Sequence, residues 1–321
     1  MKKIKTTIVL FLILLTTTIL FFYLSIPYEQ IDKLAQGFIL KKLDSKGHVS
    51  YTISNSLPKD WVLFDDINKS VKDAIVISED WAFYQHDGVD YNQIEESLND
   101  KFQKGKKLRG ASTISQQLVK NLFFDKKRSY LRKFKEYFAV KYLEKKLKKK
   151  KILESYLNII EYGKNTYGIK QASKLYFKKS PSNITTKEAA FLAMLLPSPI
   201  KNSQSFKQRK LTSYGSKTIN KILSKMKQAK MINDANFIKA KETPFSWEKS
   251  INPQVEKKVN KRSLNQKNKL VLKKSKHRSK RKGKFEDRYK NDIQIDVEDN
   301  PHFDDDAIKE NIGGIKEEFS L

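Results

Sequence analysis

The chain has 321 residues, enough for one sizeable domain with additions. Its 65 Lys and Arg stand against 36 Asp and Glu, a formal net charge of +29 that points to polyanionic partners: nucleic acid, anionic lipid or phosphorylated substrates. It has no cysteine, which excludes disulfides, thiolate metal sites and a Cys nucleophile, and its four histidines lie far apart without metal-ligand spacing.

The N-terminal residues narrow that choice. Lys2, Lys3 and Lys5 precede an uncharged run from Thr6 to Ile26, 21 residues long. At about 1.5 Å per residue this run spans roughly 30 Å, the thickness of a bilayer core. A cleaved signal peptide would have a shorter apolar stretch and a small-x-small site, and "FFYLSIPYEQ" offers none. The expectation is an uncleaved anchor over 6–26. Residues 1–5 stay in the cytoplasm and everything after Pro27 is exported, because lysine-rich flanks stay inside. Nucleic acid then becomes a poor partner.

Beyond the anchor, "HVSYTISNS", His48 to Ser56, alternates as a short strand would. From Leu57 to Trp247 glycines are few and apolar residues recur at three and four, which predicts a mainly α-helical domain over 45–248. In "YLRKFKEYFAVKYLEKKL" the apolar stripe is Leu131, Phe134, Phe138 and Tyr142. After Lys249 the composition changes. Lys257 to Lys290 holds sixteen Lys/Arg against two acids, and Asn291 to Leu321 holds ten acids against two lysines. Charge blocks with so few apolar residues build no core, so 249–321 is expected to be a disordered tail, basic and then acidic.

Three stretches within the helical region carry candidate chemistry. "SEDWAFYQHDGVD" places Glu79 beside Asp80 and closes on a turn at His86-Asp87-Gly88. Helix neighbours diverge by about 100°, so the two acids cannot share a target. One faces a cleft and the other braces the turn, unless both simply end a solvated helix. "RGASTISQQLVKN" reads as a loop feeding a helix, with Thr113 and Gln116 as a capping box and Ser112 as a competing cap. Such a helix start offers N–H groups and a positive dipole end to phosphate, and Gln116 and Lys120 share its face. A well-capped surface helix is the plainer reading. Arg128, Arg132 and Glu136 follow at i, i+4 and i+8, either as a surface ion pair or as cations with a second carboxylate beside a phosphate site.

Together these stretches resemble the peptidoglycan glycosyltransferases of glycosyltransferase family 51. The signatures are Glu79-Asp80 with Phe83, His86 and Gly88; Gly110 to Gln117 with Lys120-Asn121; Arg132-Lys133 with Glu136; "KKILESYLNIIEYG", which contains Asn158; "YGIKQASKLYF"; and "KEAAFLAMLLPSP". The likeness runs from Leu57 to Pro199, weakens towards Trp247, and is nearest to the monofunctional, membrane-anchored biosynthetic transglycosylases. Two departures stand out: Lys178-Lys179 replace the usual Gly after Tyr176-Phe177, and "IKNSQSFK" lacks the usual proline. Ser224 to Lys227 forms a Ser-x-x-Lys without a Lys-Thr-Gly, and the tail is too short and polar for a transpeptidase domain.

The resemblance implies a lysozyme-like helical domain that polymerises lipid II by inverting transfer with release of undecaprenyl pyrophosphate. It implies Glu79 as general base and Glu136 as a second carboxylate. Ser112, Thr113, Gln116, Gln117, Lys120, Arg128 and Arg132 would form the lipid II pyrophosphate site, supported by Asp80, Phe83, His86, Gly88 and Asn158. The apolar neighbours Trp81, Phe83 and Tyr84 would raise the pKa of Glu79 towards the operating range. A divalent cation, magnesium or manganese, is compatible with Glu136, but no ligand cluster demands one. The implied partners are lipid II, the growing glycan strand, the membrane and other cell-wall synthesis proteins. A lytic enzyme on the same scaffold and a catalytically silent anchored scaffold are the competing readings. Glycan cleavage releases no pyrophosphate and leaves the cation row without a purpose, and the intact Glu79, Gln117, Lys120 and Glu136 argue against silence.

Overall fold

The computed structural model describes residues 2–44, 49–105, 110–125 and 129–248. The tail expected over 249–321 and the candidate Arg128 lie outside the described residues.

Helix α1 (Lys2–Leu24) begins earlier than the uncharged run and stops short of Pro27. It is exposed along almost its whole length, and among the described residues it holds the one stretch long and apolar enough to cross a membrane. Helix α2 (Tyr28–Gln36) follows directly. Strands β1 (Phe38–Leu43) and β2 (Val49–Ser54) pair antiparallel, with Phe38 opposite Ser54 and Leu43 opposite Val49. The alternation in "HVSYTISNS" marks β2. Its partner "FILKKL" alternates poorly and carries no comparable signal.

Two groups of helices follow. α3 (Lys69–Glu79) is capped by Asn68, and α4 (Tyr91–Lys104) by Asp90. Next come α5 (Ile114–Phe123), α6 (Tyr130–Lys146) and α7 (Lys149–Ile159). A small hairpin, β3 (Glu161–Gly163) with β4 (Thr166–Tyr167), leads to α8 (Ile169–Phe177) and α9 (Thr186–Leu195). Short helices α10 (Pro199–Asn202) and α11 (Gln204–Lys207) precede α12 (Ser213–Gln228) and α13 (Asp234–Glu242).

The core forms around α9, which is apolar on all sides from Ala189 to Leu195 and buried throughout. Helices α3 and α12 pack against it. An aromatic cluster closes that side: Phe191 lies 5.3 Å from Phe245, which stacks on Trp247 at 4.8 Å. Burying each large side chain contributes about 1.5–3 kcal/mol, so this cluster holds that side of the core together. The other group is α5 held between α6 and α7.

Helix α6 departs from the expectation drawn from its pattern. Its buried residues are Glu136, Ala139, Val140 and Leu143, whereas Leu131, Phe134 and Phe138 are 59, 55 and 38% exposed. Periodicity marks an apolar face without saying which apolar surroundings cover it. Here the stripe continues from the anchor: Phe22 of α1 lies 5.2 Å from Phe134 and 5.7 Å from Phe138. Tyr28 meets Tyr142 edge-on at 4.7 Å, and Asp32 of α2 accepts from the Tyr142 hydroxyl at 2.9 Å and pairs with Lys146 at 2.9 Å. The membrane-type helix is thereby docked on the back of α6.

Lys178 ends α8 in the left-handed region, φ 59° and ψ 31°. That conformation costs a non-glycine residue roughly 1–2 kcal/mol, partly offset because glycine loses more freedom on folding. Lys178→Gly is expected to stabilise the protein by up to about 1 kcal/mol, read as a higher urea midpoint at unchanged slope. A lower midpoint would show that the lysine stem contributes more packing than the backbone strain costs.

Candidate active site

Helix α3 stops at Glu79 because Asp80 leaves helical space, with φ −164° and ψ 73°. Asp80 is 3% exposed, and its two carboxylate oxygens have separate tasks. One meets His86 Nε2 at 2.8 Å, and the other accepts the backbone N–H of Ile114 at 2.9 Å. His86 Nδ1 in turn accepts from the Gly88 N–H at 3.1 Å. That acceptance assigns the imidazole proton to Nε2, which donates it to Asp80. Gly88 sits at φ 83°, and a Cβ there would lie 2.5 Å from Val140 Cγ1. The turn can therefore close against α6 only with glycine.

The start of α5 is occupied by the chain itself. Thr113 caps the helix: its hydroxyl accepts from the Gln116 N–H and donates to the Gly88 carbonyl at 2.7 Å, while Gln116 Oε1 accepts from the Thr113 N–H. The Ile114 N–H belongs to Asp80. This corrects the expectation of free helix-start donors for phosphate, because a buried carboxylate already sits at the positive end of the dipole. Thr113 is fully buried and its side chain does not reach the cleft.

Beyond that cap, α5 presents Gln117 to Glu79. Gln117 Nε2 donates to Glu79 Oε2 at 3.1 Å, and Gln117 Oε1 accepts from the Tyr156 hydroxyl at 2.9 Å. This chain fixes both the amide orientation and the carboxylate. Glu79 is half-buried, and its carboxyl is pushed up to about 7. Burial is the largest cause, the Asp80 charge adds to it, and the Gln117 hydrogen bond and Lys120 oppose it.

A cleft of about 610 Å³ opens beside Gln117, lined on one wall by Ser112, Gln116, Gln117 and Lys120 and on the other by Ser129, Tyr130, Arg132, Lys133 and Glu136. Glu136 is 2% exposed and held from both sides, by Arg132 at 2.7 Å and Lys133 at 2.6 Å. Lys120 interacts with the charges of both Glu136 and Glu79. Its pKa is lowered, chiefly by desolvation and further by Lys133 and Arg132, with the two carboxylates opposing.

The structure thus brings together Glu79, Ser112, Gln116, Gln117, Lys120, Arg132 and Glu136. Phe83, His86 and Gly88 stand behind them. Phe83 is fully buried under Lys149, whose Nζ lies 4.6 Å from the ring centre. Asn158 serves elsewhere, since its amide brackets the backbone of Val62 with two bonds of 2.8 Å.

Several residues were missed by the sequence reading. Lys133 stands in a signature but was given no role in the site, although Glu136 follows it at i+3, a signal present in the spacing. Tyr156 gave none, because an apolar-looking Tyr in a helix reads as core. Glu144 accepts from Ser115 of α5 and from Lys149 at 2.8 Å, and Lys149 also donates to the His86 carbonyl at 2.6 Å. That network ties three segments far apart in sequence.

Metal-binding geometry among the described residues is limited to Asp80, His86 and Asp90, whose candidate ligand atoms lie within 4.8 Å of one another. A cation there would have to displace the His86–Asp80 bond, and Asp90 already caps α4 by accepting from Gln93. Glu136 would likewise have to release Arg132 or Lys133. The donor set therefore fits a resident magnesium or manganese ion poorly.

Comparison with known proteins adds the following. The transglycosylase family model matches residues 46–227. The chain is similar to a biosynthetic peptidoglycan transglycosylase of Acinetobacter baumannii, 43% identical over 146 residues that cover 46% of this chain and 65% of that one. It is also similar to the proteins of that name from Pasteurella multocida (37% identical, covering 62% of this chain and 78% of that one) and Haemophilus influenzae (36%, 65% and 85%). The match therefore spans slightly less than two thirds of the Acinetobacter relative.

The raised Glu79 carboxyl has a consequence for stability. Its ordinary value is 4.5 and its folded value is about 7. Between these pH values the native state binds more protons than the unfolded one, so stability falls as pH rises through this window. Glu79→Gln is expected to raise Tm clearly at pH 8 and little at pH 5. Equal shifts at both pH values would show that Glu79 titrates normally.

Proposed function

Because the chain belongs to the transglycosylase family, we propose that it is a membrane-anchored peptidoglycan glycosyltransferase that polymerises lipid II into glycan strands. The observation that carries this reading is Glu79 bonded to Gln117, which itself lines a cleft whose opposite wall is cationic.

The chemistry follows from that layout. Glu79 takes the proton of the acceptor's sugar 4-hydroxyl as its oxygen attacks C1 of the donor. The C1–O bond to undecaprenyl pyrophosphate breaks on the opposite face, and the anomeric centre inverts. A base with pKa near the operating pH combines a useful ionised fraction with real basicity. Charge grows on the leaving pyrophosphate, and Lys120 and Arg132 are the cations at the cleft to meet it. Buried Glu136 keeps Arg132 and Lys133 on that wall instead of letting them relax into solvent. In this reading the charges that meet the pyrophosphate are side chains, and a divalent ion is not needed for the step.

Anchoring supports the substrate class. In this reading Lys2, Lys3 and Lys5 at the start of α1 keep the N-terminus in the cytoplasm and leave the domain outside, single-pass. The exposed Leu131, Phe134 and Phe138 lie on the anchor side of α6, so the same helix that carries Arg132 borders the lipid from which a polyprenyl-linked donor would come. The growing strand and other cell-wall synthesis proteins are the remaining partners of this reading.

Labelled lipid II given to the detergent-solubilised protein tests the function. Wild type is expected to polymerise it, and Glu79→Gln to lose about 10²–10⁴-fold with its fold intact. Glu136→Gln should also be severe, through the cations it holds. Polymerisation at near wild-type rate by Glu79→Gln would refute the base. Cleavage of purified glycan without polymerisation would favour a lytic enzyme instead.

Orientation is tested separately. In intact spheroplasts, external protease should digest the region after Pro27 while cytoplasmic markers survive. Full protection of that region would reverse the topology.

A further inference from the structure

Gln117 stands between the candidate base and the core, and both ends of its amide are engaged. Nε2 donates to Glu79 Oε2 at 3.1 Å and to the Ser112 carbonyl at 3.4 Å. Oε1 accepts from the Tyr156 hydroxyl at 2.9 Å. The partners of an amide assign its oxygen and nitrogen, and here they agree: two acceptors face the nitrogen and one donor faces the oxygen. Tyr156, on α7, is buried, and Gln117 is its one hydrogen-bond partner among the described residues. Burial holds the Tyr156 phenol well above its ordinary value and the Glu79 charge adds to this, so the hydroxyl remains a donor at working pH.

That donor matters because Gln117 is the only described residue that donates a hydrogen bond to Glu79. Without the Tyr156 hydroxyl, the amide oxygen would face the core with no partner, which is costly. The terminal torsion of a Gln is broad, so the amide would then turn towards the cleft, where water can satisfy its oxygen. Its N–H would leave Glu79 in the same movement.

Resting on the reading of Glu79 as the base, we propose that Tyr156 is a positioning residue. Its hydroxyl holds the Gln117 amide with the N–H towards Glu79, and so keeps the carboxylate in place for the acceptor hydroxyl. Tyr156 acts from the core, through a residue that lines the cleft. A donor stabilises the ionised carboxylate and not the protonated one, so the fixed amide also limits how far burial neutralises the base. The charged groups acting on Glu79 are Asp80 in its own turn and Lys120 from α5, and Tyr162 of β3 feels the Glu79 charge in return. Helices α9 and α12 pack on α3 with Glu188 and Lys225 as their buried charges. Tyr156→Phe leaves all of these in place, so comparison with wild type isolates the amide.

Tyr156→Phe keeps the ring and removes only the hydroxyl. With lipid II as substrate, the acidic limb of the kcat/KM profile should move to higher pH by about half to one unit. That is a loss of about three- to tenfold below the limb, recovered in alkali. A second readout needs no substrate. The pH at which the Tm gain of Glu79→Gln levels off reports the Glu79 carboxyl directly, and in the Tyr156→Phe background it should move up by the same amount. In a Gln117→Ala background neither readout should respond to Tyr156→Phe, because the link between the two groups is gone. A limb or a levelling point that stays in place overturns the proposal, even with a lowered Tm, since the hydroxyl then serves the fold alone. A shift of equal size in the Gln117→Ala background overturns it too. Glu79→Gln separates the two failures. Full activity there refutes the base itself, whereas an inactive Glu79→Gln beside an unmoved Tyr156→Phe limb refutes only the positioning role.

Discussion

The site depends on the buried carboxylate of Asp80. Its two oxygens reach two different segments, the His86 turn and the first N–H of α5. Both partners are donors, so the charge is solvated by the protein and not left bare. The same contact sets where α3 ends, how the turn to Gly88 closes and where α5 begins. Gln117 sits one helical turn beyond Thr113, so its meeting with Glu79 follows from the placement of α5. Asp80 therefore acts on the site by geometry, and its neighbour Glu79 is left to meet Gln117, which lines the cleft.

Electrostatics in the site run in two opposed directions. Burial raises Glu79 and lowers Lys120, each towards its neutral form. The charges of the two groups partly restore each other, and Glu136 supports the lysine from the far wall. The acid and the lysine are thus each held off their ordinary titration beside one cleft, where Arg132 is already paired with Glu136. Such arrangements cost stability and are kept where charge moves during a reaction.

Legibility in the sequence followed the range of each interaction. Local signals were readable: the Thr113–Gln116 cap, the Arg132–Glu136 pair and the uncharged anchor all lie within a few residues of one another. The divergence of Glu79 and Asp80 was also predictable from helix geometry. Contacts across the fold were not. Nothing in "SED" says that Asp80 will reach Ile114, and so the helix start was read as open to phosphate when it is filled. Tyr156 and Tyr162 read as core aromatics because a buried hydroxyl has no periodicity of its own. Glu144 and Lys149 looked like members of a charged surface run, and only the packing of α5, α6 and α7 turns them inwards. The stripe on α6 was identified correctly as apolar, but its pattern alone does not say what covers it.

The covering of that stripe shows how α6 serves the whole molecule. At about 100° per residue, Leu131, Phe134 and Phe138 fall on one side of the helix and Arg132 and Glu136 on a well-separated one. The first side meets Phe22 of the anchor, and the second lines the cleft. Helix α2 adds polar contacts to the same side of α6 through Asp32, Tyr142 and Lys146. Under the proposed anchoring, a helix with apolar residues on one face and cations on another would set the height of those cations above the bilayer. The proposed polyprenyl-linked donor, whose pyrophosphate would sit at the headgroup level, would meet the cations at that height. The two faces of one helix thus express the same constraint, which explains why so apolar a stripe is kept out of the core.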